Sequence, residues 1–131
     1  MKVGEVTVIQ TTKGKLPRLP FAKMKDYCLG TSFSVSIVFV GAKKARNLNW
    51  KYRGKKYVPN VLTFPLSKTS GEVVICLSQA YTDAKKFSMK QSDFIPYLLI
   101  HAFFHLKGLP HGSKMNTKEE QARKKFLISE K

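Results

Sequence analysis

The sequence predicts a single α+β domain of four strands and about five helices, on three observations. At 131 residues and 14.9 kDa, the chain has room for one core. Its apolar share of 43% is enough to pack that core. Strand-like and helix-like segments also alternate along it, with no repeat, low-complexity stretch or dividing linker. Residues 1–131 therefore read as one domain.

Residues 3–12 are β-branched and partly alternating, an opening strand. Gly14 and the stretch from Pro17 to Pro20 break it. Phe21, Met24, Lys25 and Cys28 then recur at helical spacing up to Gly30. Residues 32–40 alternate most clearly of all and predict the second strand, closed by Gly41. A helix over 42–52 follows, ending near Gly54. Residues 61–64 and 72–77 predict two further strands, with 65–71 as a hairpin-like connection. A third helix covers 79–87. Asp93 is placed to cap the fourth, which puts Pro96 in a first turn that tolerates it. That helix runs to Lys107 and stops at Gly108. The last covers 117–128, acidic at its start (Glu119, Glu120) and basic at its end (Arg123 to Lys125), as the helix dipole favours.

Lys and Arg total 24 against 8 Asp and Glu, a formal charge of +16. Solubility alone asks for a net charge of only about 2–8 on a small domain. The excess points to a polyanionic partner, nucleic acid first. The basic residues are spread along the chain, which suits the surface of a folded domain. No run approaches the ~20 apolar residues of a membrane span. The amino-terminal residues lack the pattern of a secretion signal, so a cytoplasmic protein with no membrane association is expected. Cys28 and Cys76 lie too far apart for a disulfide scaffold or zinc ribbon, and read as small buried hydrophobes with reduced thiols.

All three histidines, His101, His105 and His111, fall within eleven residues. The first two are four positions apart, one helical turn on one face, where two imidazoles can chelate one ion. Gly108 accepts the left-handed conformation that reverses the chain and returns His111 toward the same ion. Three imidazoles and a water describe a catalytic zinc-type site, in which the bound water ionises at a pH of about 7. Isolated core histidines are the bland alternative. It would require every histidine of the chain to fall at chelating spacing by accident, two of them on an otherwise apolar helix. Metalloproteases share the spacing, but their general base is a glutamate beside the first histidine, and here that residue is Ala102.

These residues resemble the YbeY endoribonucleases, whose motif H-G-x-x-H-L-x-G-[YF]-x-H has the spacing of residues 101–111. The likeness continues in residues 35–39, in Leu48-Asn49-x-x-Tyr52-Arg53, in the segments 60–65 and 71–76, and in Met115 with Glu119-Glu120. The resemblance implies a mixed four-stranded sheet with helices around it and a metal cleft. It also implies a zinc-dependent endoribonuclease that hydrolyses single-stranded RNA, in 16S ribosomal RNA 3′-end processing and ribosome quality control. His101, His105 and His111 would hold Zn2+, with His101 also counted as catalytic. Arg53 would reach toward the substrate, and the small ribosomal subunit is an implied partner. Ala102 replaces the family's glycine, Leu109 its aromatic residue, Pro59 its threonine and Glu72 its aspartate. Pro110 replaces a frequent aspartate, so a carboxylate that could orient a histidine is missing there.

Arg53 suits a crowded phosphate because its fork donates two parallel hydrogen bonds. Lys51, Lys55 and Lys56 would hold RNA beside it. Tyr52, Tyr57 and Phe64 can stack on bases, but their spacing predicts that they pack inward. No general base stands out, because no carboxylate lies beside the histidines in the sequence. Two rivals share the composition: a non-catalytic, basic RNA- or ribosome-binding assembly factor with structural zinc, and a hydrolase of small phosphoesters. The high charge favours a long polyanion over the second.

Overall fold

Strict alternation in two strands divides the molecule into layers. In the computed structural model, which describes residues 4–108 and 112–126, β2 (Ser34–Val40) lies parallel to β4 (Ser70–Cys76). Ile37 is in register with Val73 and Phe39 with Ile75. These four, with Val35, face the main core; Val40, Val74 and Cys76 face the other way. β1 (Val6–Gln10) adds in parallel to the far edge of β2, and β3 (Val61–Ser67) pairs antiparallel with β4. The sheet is mixed, in the order β1-β2-β4-β3.

Among the described residues five helices flank it: α1 (Phe21–Leu29), α2 (Ala42–Arg53), α3 (Leu77–Lys86), α4 (Gln91–Leu106) and α5 (Ser113–Lys125). α2 covers the smaller apolar face through Ala45 and Leu48. On the opposite face, α4 packs against β3, β4, α1, α3 and α5. It is apolar nearly all round because it is surrounded nearly all round. Leu106 sits so close over Gly71 that a Cβ there would lie 2.7 Å from its Cδ2, so glycine is what lets α4 settle on β4. Phe103 is fully buried in this core. Phe103→Ala is expected to lower unfolding stability by about 3–5 kcal/mol in a denaturant titration.

Several boundaries differ from the sequence expectation. The opening strand is confined to residues 6–10 within the described chain; residues 1–3 lie outside it. β3 and β4 extend into 65–71, leaving Lys68 and Thr69 as the turn. Pro65 is accommodated because β3 is an edge strand with a register shift next to it. α4 begins at Gln91 with Lys90 at the cap, so Asp93 is third in the helix and donates its own N–H to the Lys90 carbonyl at 3.0 Å. Pro96 is consequently just past the first turn, where it forfeits the bond to the Ser92 carbonyl. α5 begins at Ser113, four residues early, and residues 127–131 lie outside the described chain.

Tyr52 and Tyr57 do not pack inward: they are 58% and 55% exposed. The buried Asn49 amide donates to the Tyr57 carbonyl at 3.0 Å, so the backbone is the anchored part and the ring turns to solvent. Tyr52 meets Phe64 edge-on with centroids 5.3 Å apart, at the rim of the smaller cluster. Cys28 and Cys76 are free and buried, as expected. Burial pushes the Cys28 thiol up to about 12, against an opposing pull from Lys107, which keeps it protonated and unreactive at neutral pH. Among the described residues no helix is long and apolar enough to cross a membrane.

Candidate metal centre

The last two turns of α4 bring His101 and His105 together, with ring centroids 6.2 Å apart and planes inclined by 31°. His105 is exposed and His101 half-buried. His101 lines a cavity of about 700 Å3 whose wall includes Glu119 and Asn116 of α5. α4 ends at Leu106, and Gly108 two residues later has a positive φ of 89°, which glycine accepts without strain. His111, Leu109 and Pro110 lie outside the described residues, so the structure brings together two of the three expected histidines. Among the described residues, no group of three His, Cys, Asp or Glu side chains is set to hold an ion.

The carboxylate expected to be missing is supplied from elsewhere. Glu119 Oε2 lies 2.7 Å from His101 Nδ1, and Glu119 is only 6% exposed. It belongs to the buried stripe of α5, between Met115 four residues earlier and Ala122 three later. A charged residue within an apolar stripe is the sequence signal for it. Burial of a carboxylate without a partner is costly, and the imidazole is that partner. When neutral, an imidazole that donates its Nδ1 proton to Glu119 presents an unprotonated Nε2, the form that binds zinc. The donor set therefore fits a zinc-type ion. Loss of such an orienting group typically weakens metal binding about 10–100-fold. Glu119→Gln is expected to fall in that range in a chelator-competition titration of zinc, with the fold retained.

Arg53 ends α2 and lines a second cavity of about 580 Å3, distinct from that of His101. The two adjoin: both are lined by Asn60, Val61 and Lys86. Asp83 braces the wall between them. It accepts from Asn60 Nδ2 at 2.9 Å and Gln79 Nε2 at 3.0 Å, with Lys86 Nζ 3.9 Å away. Lys51, Lys55 and Lys56 are exposed on the segment around Arg53. Lys51 lies over the Tyr52 ring at 5.2 Å and Lys56 over Trp50 at 5.3 Å. Trp50, which is 55% exposed, and Asp83 and Lys86 belong to no motif that the sequence displays. Asp83 and Lys86 reach the cleft through packing, whereas Trp50 stands exposed on α2, close in sequence to Arg53.

A family model described as Endoribonuclease YbeY matches residues 11–130. The chain belongs to the YbeY family. Proteins named Endoribonuclease YbeY are 33% identical to it in Alkaliphilus metalliredigens, over 75% of this chain and 70% of the relative, and 33% identical in Finegoldia magna, over 74% and 71%. One from Phytoplasma australiense is 34% identical over 72% and 69%. The solution structure of a Thermotoga maritima protein superposes with a TM-score of 0.70, at 21% identity, over 93% of this chain and 89% of that one. That likeness establishes the α+β fold.

Proposed function

We propose that this chain, residues 1–131 as one YbeY domain, is a metal-dependent endoribonuclease for single-stranded RNA. It acts in ribosomal RNA maturation, at the 3′ end of the 16S RNA, and in ribosome quality control at the small subunit in the cytoplasm. Its relatives carry the name endoribonuclease, and the charge of +16 suits a long polyanion. The observation that carries the reading is the His101–Glu119 contact at 2.7 Å with His105 one turn away, in a cleft that opens onto basic residues.

In this reading His101, His105 and His111 hold one zinc ion, with water in the fourth position. When bound, the ion supplies Lewis acidity at a phosphate oxygen and a water that ionises at a pH of about 7. Glu119 holds the Nδ1 proton of His101 and fixes its ring. Lys86, between the two cavities, and Arg53 beyond it track the RNA backbone. Arg53 donates to phosphate oxygens whose charge rises during the reaction. Lys51, Lys55 and Lys56 extend the basic path and hold RNA in place.

The test is cleavage of one ribosomal RNA segment presented single-stranded or annealed to its complement, before and after chelation. The expected result is cutting of the single strand alone, loss on chelation and recovery with zinc. Binding without cutting in every state would overturn the reading in favour of an assembly factor with structural zinc.

A further inference from the structure

We propose that the apolar half of the His101 cavity is a nucleobase subsite, with Phe87 as the ring on which an unpaired base stacks; this rests on the ribonuclease reading above. Phe87, Phe94 and Tyr97 form a rack beside His101. Phe87 and Phe94 lie 5.9 Å apart at 22°, and Phe94 and Tyr97 6.0 Å apart at 18°. Phe94 is buried within the rack, whereas Phe87 is 58% exposed with one face on Phe94. The outward face of Phe87 meets solvent at the cavity rim.

The backbone holds Phe87 there by an uncommon conformation. It is the C-terminal cap of α3, and Ser88 after it is the one non-glycine residue with positive φ (55°) among the described residues. Hydrogen bonds from Ser88 N–H to the Lys85 carbonyl (3.2 Å) and from Met89 N–H to the Ala84 carbonyl (2.9 Å) close the turn. A strained residue is maintained where the chain delivers an aromatic ring to the edge of the cleft.

The remaining walls suit a nucleotide. The Arg123 guanidinium lies 5.4 Å from the Tyr97 ring centre, and Lys86 lies on the side toward Arg53. Asn60 and Asn116 offer amides of either hydrogen-bonding sense. A volume of about 700 Å3 is within the usual range for small-molecule sites, roughly 300–1,000 Å3. A base in a duplex has both faces covered by its neighbours, so a stacking subsite beside the histidines admits unpaired RNA and excludes helix. Preference for single strands then has a physical origin in Phe87.

Equilibrium binding of the full chain to a short oligoadenylate, and to an abasic ribose-phosphate oligomer of equal length, tests this. Phe87→Ala is expected to weaken oligoadenylate binding about tenfold, leaving the abasic oligomer unchanged. Phe87→Trp is expected to restore the wild-type affinity. Unchanged affinity for oligoadenylate, or equal losses on both oligomers, would overturn the subsite. A Phe87-dependent preference for bases without any cleavage by wild type would overturn the ribonuclease reading and leave the subsite standing. Cleavage that depends on the histidines but not on Phe87 would do the reverse.

Discussion

His105→Ala is expected to reduce cleavage of single-stranded RNA to the level of a protein-free control while leaving the fold intact. His105 is exposed on the last turn of α4, and the buried positions around it, Phe103, Phe104 and Leu106, carry the packing. Removing its ring leaves no cavity in the core. It does remove one of two imidazoles that lie one turn apart, which on the proposed reading share a single ion. Without that ion a water loses its acidity, so hydroxide is no longer available near neutral pH. The comparison requires wild type and variant purified identically, with metal content recorded, because a basic protein readily carries contaminating nucleases. Circular dichroism and a denaturant midpoint matching wild type show that only chemistry was lost. Equal cutting by both proteins would remove catalysis from this site.

The second large effect is at Arg53. If its guanidinium donates to a phosphate whose charge rises in the reaction, Arg53→Ala lowers kcat by about 10²–10³-fold, the scale for losing one preorganised donor. Arg53→Lys restores part of that, because an ammonium keeps the charge but not the paired geometry. The exposed Lys51, Lys55 and Lys56 provide the contrast. Their replacement by alanine is expected to leave kcat near wild type and flatten the salt dependence of RNA affinity. The slope falls by up to about 0.7 for each phosphate that is no longer neutralised. A change in KM alone at Arg53 would place it with these lysines as a binding residue. The cavity boundary makes this a demanding test, since Arg53 lines the chamber next to that of His101.

Much of the fold was legible because it rests on local periodicity. The alternation in residues 32–40 specified a strand with two different faces, and in the structure those faces meet different helices. The all-apolar run before His101 specified a helix surrounded by protein. Aromatic residues misled because spacing does not reveal which part of a residue is anchored. At Tyr57 the anchor is the carbonyl, held by Asn49. Prolines misled in a similar way. Residues 65–71, opening on Pro65, read as a connection, yet the ladder has an edge and an irregularity that absorb the proline. Lys25 fell on an apolar spacing and is indeed buried at 2% exposure. Its ammonium reaches the Gly30 and Thr31 carbonyls and pairs with Asp26, which offsets the burial.

The candidate site divides along the same line. The histidine spacing is local and could be read directly. The carboxylate that orients His101 lies eighteen residues away on another helix, and only the packing of α5 against α4 brings it there. A search beside the histidines in sequence could not give Glu119 this role, although Glu119 belongs to the family likeness and falls in the stripe Met115, Glu119, Ala122. Asp83 and the ring of Phe87 likewise reach the cleft through packing.

The central claim is that three histidines hold an ion with one position open. X-ray absorption at the zinc edge on the reconstituted protein measures this most directly. Three imidazole nitrogens at about 2.0–2.1 Å and one exchangeable oxygen are predicted, and an imidazole should disappear in His105→Ala. A shell of four protein ligands with no exchangeable position, or one unchanged by that substitution, would contradict the claim. The zinc would then be structural, and the protein an RNA-binding factor.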